Sequence, residues 1–255
     1  LATGACKQSA PELLFEKVDN SGINFSNNIS NSRDFNIFSY RNFYNGAGVA
    51  TGDINNDGLT DVFFTANMGP NKLYLNKGDF KFEDISEIAG FRDKGQWSTG
   101  VVMVDINADG LLDIYVCNAG YQKGVGLENQ LWINKGNLQF EEKAKEYGLN
   151  DDGFTTHAAF FDYDLDGDLD AYILNNSFIP VNTLNYSNKR DLRAKDWPVA
   201  DFLKGGGDKL LRNDNGKFTD VSEAAHIYGS LIGFGLGVTV GDVNNDGYPD
   251  IYVSN

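Results

Sequence analysis

Four stretches of this chain place oxygen-bearing side chains at fixed intervals. They are Asp53-Ile-Asn55-Asn-Asp57-Gly-Leu59-Thr-Asp61, Asp105-Ile-Asn107-Ala-Asp109-Gly-Leu111-Leu-Asp113, Asp162-Tyr-Asp164-Leu-Asp166-Gly-Asp168-Leu-Asp170 and Asp242-Val-Asn244-Asn-Asp246-Gly-Tyr248-Pro-Asp250. The pattern D-x-[DN]-x-D-G-x-x-D offers side-chain oxygens at positions 1, 3, 5 and 9, and the position-7 carbonyls of Leu59, Leu111, Asp168 and Tyr248 add a fifth donor. That is calcium chemistry: Ca²⁺ takes about six to eight oxygens, whereas Mg²⁺ keeps its waters and zinc prefers nitrogen and sulfur. Glycine at position 6 permits the sharp turn that gathers the oxygens. Position 12 is Phe64, Val116, Ile173 or Val253 rather than a bidentate Glu, so these are not EF-hands. The loops hold 14 of the 36 acidic residues, and four such copies repel themselves without a cation. About four Ca²⁺ sites are expected, the third the tightest because Asp164 stands where the others have Asn.

Something must hold these loops in register. Each is preceded by a run of small or apolar residues (48–52, 100–104, 157–161, 237–241) and followed by a β-rich one (62–65, 114–117, 171–174, 251–254). Three repeats continue with a run ending in Asn76, Asn134 or Asn213, then a fourth opening at Phe82, Phe140 or Phe218. Four short strands per repeat, with loops recurring at 52, 57 and 80 residues, are the arithmetic of an all-β propeller of four-stranded blades. The expected organisation is a flexible tail at 1–11 and a propeller over 12–255. Within it lie a lone outer strand at 12–26, blades at 46–91, 97–149 and 154–228 (the last with an insertion at 176–207), and a partial blade at 234–255. An incomplete blade leaves an open edge, to be covered by a partner chain or by further blades.

The formal charge of −15 disfavours nucleic acid and anionic membrane surfaces as partners. Two cysteines exclude a disulfide framework. Cys6 follows small residues, which suits either a lipidated bacterial lipoprotein cysteine or a free thiol on a tail. No nucleophile elbow, zinc-protease or nucleotide-binding fingerprint is present.

The run Phe234-Gly-Leu-Gly-Val-Thr-Val-Gly-Asp242 through Asp250 resembles an FG-GAP/VCBS repeat, the calcium-loop blade of the integrin α propeller and of many bacterial surface proteins. The Asn-x-Leu-Tyr-x-Asn run at Asn71 and the later Phe-x-Asp-x-Ser are similar to the cartilage-acidic-protein branch. The resemblance spans about residues 15 to 255 and implies the N-terminal part of a seven-bladed, secreted or surface-attached propeller. The expected function is non-catalytic recognition of a glycan or protein through the face opposite the loops. Candidate ligand contacts there are Trp97, Phe154 and Phe234, each eight residues before a loop, His157 in place of an inner-strand glycine, and Trp197 in the insertion. That insertion also carries Tyr186, Lys189, Arg190, Arg193, Lys195 and Lys204, with Gly205-Gly206-Gly207 as a flexible hinge. The alternative is packing between blades for the aromatics and a core imidazole for His157. The alternatives are a calcium-dependent polysaccharide lyase with His157, Lys or Arg as base, as the family's rhamnogalacturonan lyases suggest, and an accessory subunit of an outer-membrane nutrient-uptake complex attached through Cys6. All three place the chain outside the cytoplasm, as a bacterial cell-surface or outer-membrane lipoprotein or as a secreted protein.

Overall fold

Alternation along one strand accounts for the architecture. In the run Asp113–Asn118 every residue is buried, and successive side chains enter different cores. Ile114 and Val116 pack with Phe63, Leu73 and Trp132, while Tyr115 and Cys117 pack with Leu131, Ala158 and Ile173. Side chains of a strand point alternately to opposite faces, so a strand buried on both must lie in a sheet sandwiched between two others.

The computed structural model of the chain describes residues 14–92, 95–120, 128–178 and 192–254. Three four-stranded antiparallel sheets run in simple sequence order. The first is β1 (Val49–Gly52), β2 (Asp61–Phe64), β3 (Lys72–Asn76) and β4 (Phe82–Asp84). The second is β5 (Ser98–Val104), β6 (Asp113–Asn118), β7 (Gln130–Asn134) and β8 (Phe140–Glu142). The third is β9 (Thr155–Phe161), β10 (Asp170–Asn175), β11 (Lys209–Asn213) and β12 (Phe218–Asp220). A two-stranded sheet follows, β13 (Gly237–Gly241) and β14 (Asp250–Ser254), packed on the third through Val238, Val240 and Ile251.

The first strands of successive sheets pack side by side. Thr99 donates its hydroxyl to the Thr155 carbonyl at 2.6 Å, and Thr156 donates to that of Gly235 at 2.8 Å. These first strands are therefore the innermost, and the sheets are propeller blades in an open array. Small residues are required there: a Cβ on Gly48 would lie 2.6 Å from the Thr99 carbonyl oxygen.

Residues 14–26 contain no strand, contrary to the lone outer strand expected over 12–26. A fourth strand forms by pairing with a third, and among the described residues none lies there to pair with. The turn around Ser21 nevertheless docks on the first blade as the turn after β4 docks on the second. Ser21 accepts the Phe82 amide at 2.7 Å, as Ala89 accepts that of Phe140 at 3.2 Å. Phe25 stacks on Phe64 at 4.8 Å, so this segment covers the outer face of the first blade. Beyond it, Phe35, Tyr40 and Phe43 form an aromatic cluster with Trp97. The triglycine that ends the insertion is no hinge: Gly205 accepts the Phe154 amide at 3.0 Å, and Gly207 accepts the Asn175 side-chain amide at 2.9 Å.

Candidate functional site

The four hairpins joining first and second strands fold by one local rule. The first aspartate of each accepts two main-chain amides, from positions 5 and 6. In the first loop Asp53 takes those of Asp57 at 3.1 Å and Gly58 at 2.7 Å. Asp105, Asp162 and Asp242 repeat this geometry. Position 4 is left-handed in all four loops (φ 58, 56, 62 and 61 at Asn56, Ala108, Leu165 and Asn245). That turn curls the chain around its own carboxylates.

Position 9 serves the fold as well as the loop. Asp61, Asp113 and Asp170 are fully buried where their second strands begin. Asp113 accepts the amide of Ile106 at 3.1 Å and that of Asn134, at the end of β7, at 2.8 Å. Asp61 does the same with Ile54 and Asn76, and Asp170 with Tyr163 and Asn213. Burial pushes Asp113 and Asp170 each up to about 6, and neighbouring loop carboxylates add to the rise against the lowering effect of those amides. Among the described residues neither carboxylate forms an ion pair with Lys or Arg. The repeated Asn closing each third strand was visible in the sequence, but its role as the clamp on position 9 was not.

The third loop differs from the rest. Elsewhere position 3 is Asn and donates its side-chain amide to position 5: Asn55 to Asp57 at 2.9 Å, Asn107 to Asp109 at 3.0 Å, Asn244 to Asp246 at 2.9 Å. Asp164 has no N–H to give. Asp162, Asp164 and Asp166 bring carboxylate oxygens within 4.8 Å of one another, the sole such group of three among the described residues. Nearby, the Oδ1 atom of Asp168 is buried without a hydrogen-bond partner. An all-oxygen donor set with an orphaned buried oxygen fits a hard cation.

At the opposite end of the first strands lies a cavity of about 400 Å³. Its lining includes Asn42, Asn45, Gly48, Thr99, Gly100 and His157, with no Asp, Glu, Lys or Arg among the described residues. His157 is half-buried, its Nδ1 is without a partner, and burial lowers its pKa, so the ring is neutral at pH 7. His157, in β9, and Asp162, one residue past its end, stand five residues apart, about 16 Å in an extended chain.

Of the two readings of the candidate aromatics, ligand contact or packing, burial favours packing for three. Trp97 and Phe154 are buried, Trp97 meeting Phe35 edge-on at 4.9 Å. Trp197 is buried too and donates its indole N–H to the Leu192 carbonyl at 2.9 Å. Large rings at a blade junction gain more from dry contact than from water. Phe234 stays partly exposed, with the Arg41 guanidinium 4.8 Å above its ring, and His157 reaches the cavity.

The basic cluster of the insertion is likewise not a free patch where it is described. Lys204 pairs with Asp201 at 3.0 Å and Lys195 with Glu223 at 3.1 Å. Lys209 pairs with the buried Asp151, and Arg193 donates to the Ile227 carbonyl at 3.0 Å. Tyr186, Lys189, Arg190 and Cys6 lie outside the described residues. Cys117 is buried in β6, where burial raises its thiol pKa and leaves it inert.

The FG-GAP-like repeat model matches residues 53–116 and 199–253. Cartilage acidic protein 1 of Xenopus tropicalis is 42% identical over 73 residues, and that of Homo sapiens 40% over 73; each match covers 29% of this chain and 11% of the relative. A T-cell immunomodulatory protein homolog of Plasmodium falciparum (isolate 3D7) is 24% identical over 243 residues, 79% of this chain and 32% of that protein. The chain thus spans about a tenth of the cartilage acidic proteins it matches and about a third of the Plasmodium protein.

Proposed function

From a chain that carries FG-GAP-like repeats on an open array of propeller blades, we propose a calcium-braced recognition module, held outside the cytoplasm at a cell surface or secreted. The observation that carries the reading is the third loop, where three carboxylates converge within 4.8 Å with no donor among them. Asp162, Asp164, Asp166, the Asp168 carbonyl and Asp170 would hold Ca²⁺ there. The corresponding residues of the first, second and fourth loops are Asp53, Asn55, Asp57, Leu59 and Asp61, then Asp105, Asn107, Asp109, Leu111 and Asp113, then Asp242, Asn244, Asp246, Tyr248 and Asp250. The ion would supply the charge these loops lack.

The chain's own residues do the rest. Each hairpin presents its carboxylates from a turn held by main-chain amides. Each buried position-9 aspartate of the three complete blades ties the loop to a third strand, so loop order passes into blade order. Recognition of a glycan or protein falls to the face opposite the loops, at the cavity around His157 and the partly exposed Phe234. A neutral lining suits neutral hydroxyl-rich or amide groups better than anions. With His157 as base the lyase is disfavoured: five residues of extended chain, about 16 Å, separate His157 from the loop's first aspartate, too far to act on one uronate.

Isothermal calorimetry of the chelator-treated protein with CaCl₂, paired with thermal melts, tests the metal. Stoichiometric uptake with a raised melting temperature is expected; neither response at millimolar calcium would sink the reading. Glycan-array binding, with and without calcium, then tests recognition. Release of unsaturated uronate from any bound polysaccharide would convert the module into an enzyme.

A further inference from the structure

The loops of the first and second blades are joined by hydrogen bonds that the third does not share. Asp61 Oδ2 accepts the Ile54 amide at 3.0 Å. The Ile54 carbonyl accepts the side-chain amide of Asn134 at 2.8 Å, a contact across 80 residues of sequence. The main-chain amide of Asn134 in turn donates to Asp113 Oδ1 at 2.8 Å. A continuous relay thus runs between the position-9 carboxylates of two loops. Ile54 and Asn134 are both buried, so water does not compete for its middle links. A second link lies at the surface, where the Asn56 side-chain amide donates to the Gly110 carbonyl at 2.9 Å.

Neither link recurs at the next blade junction. Asn213, the counterpart of Asn134, donates its side-chain amide to Leu169 of its own blade at 3.1 Å, and among the described residues it makes no bond to Ile106. Ala108 replaces Asn56 and has no amide to give.

We propose that the first and second loops take up calcium as a coupled pair, with Asn134 and Asn56 as positioning residues, while the third loop binds on its own. This rests on the calcium reading above. Ligation in the first loop fixes the Asp53–Asp61 turn and with it the Ile54 carbonyl. That carbonyl orients Asn134, whose main-chain amide holds Asp113 in place for the second loop. Ordering one loop therefore meets part of the ordering cost of the other. Linkage requires the effect to be reciprocal and equal in both directions.

The test is a calcium titration of the full ¹⁵N-labelled chain, read at the position-6 amides of Gly58, Gly110 and Gly167, each a reporter of its own loop. Asp57→Ala and Asp109→Ala disable the first or second loop at exposed positions. Asp57→Ala is expected to weaken binding read at Gly110 by about fivefold or more, Asp109→Ala to weaken that at Gly58 by the same factor, and Gly167 to stay within about twofold. Asn56→Gly keeps the left-handed backbone and removes only the surface link, so it should shrink the cross-effect without abolishing either site. Unchanged affinity at Gly110 in Asp57→Ala, with all three glycines still titrating, overturns the coupling and leaves the metal reading standing. Equal weakening at all three overturns it as well, by showing general loosening. No response of any glycine in the unaltered chain removes the metal reading itself, and the coupling with it.

Discussion

The third loop and the first two share one pattern and one backbone, yet they manage their charge differently. In the first two, an Asn amide at position 3 satisfies the position-5 carboxylate, and hydrogen bonds reach across to the neighbouring blade. In the third, Asp164 removes the internal donor and leaves three carboxylates facing one another. The first arrangement is tolerable without metal and is connected. The second crowds like charge and, among the described residues, lacks the bonds that tie the first loop to the second. One side-chain atom, nitrogen or oxygen, separates a loop with an internal hydrogen bond from one with three converging carboxylates.

The largest expected effect is loss of the metal altogether. A ligand at 100 times its Kd stabilises by about 2.7 kcal/mol per site. Chelation of several sites should therefore lower Tm by about 10 °C or more, measured by calorimetry in EGTA against calcium. An unchanged Tm would erase the distinction between the loops, since none would be metal-dependent.

Next comes the contrast within one loop. Asp113→Ala removes the acceptor of two buried amides and should cost about 2–4 kcal/mol in chemical denaturation without calcium. Asp109→Ala, at an exposed position, should cost under about 1 kcal/mol under the same conditions. Equal losses would mean that position 9 is no more structural than position 5.

Asp164→Asn sharpens the comparison directly. It rebuilds the third loop on the plan of the others, so calcium affinity there should fall about tenfold while stability in chelator rises, because a like-charge contact is replaced by a hydrogen bond. A variant that gained no stability in EGTA would show that the carboxylates do not strain the metal-free loop. The reciprocal change, Asn107→Asp, should do the opposite on a smaller scale. It should tighten the second loop about threefold in calorimetry and lower Tm slightly in chelator.

Much of this was legible because it is local. The nine-residue loop closes on itself, so Asp53 and Gly58 meet whatever surrounds them. The alternation of Ile114, Tyr115, Val116 and Cys117 announces a strand buried on both faces. The residues read as a ligand face were harder. Trp97, Phe154 and Trp197 have the composition of a binding surface, and nothing within a few residues of them reveals that Phe35, Leu192 or a neighbouring blade covers them. The outer strand expected at 12–26 is absent over the described residues 14–26 for a related reason: a strand exists only with a partner.

By itself, then, the sequence determined the loops, the four-stranded repeat and the small residues of the inner strand. Each of these depends on spacing within a turn or on alternation along a strand. The tertiary structure alone decided which aromatics face water, that the described cations of the insertion are already paired, and that Asn134 reaches from one blade to the loop of another. The Lys195–Glu223 and Asn134–Ile54 contacts join residues 28 and 80 positions apart, which only the packing of whole sheets brings together.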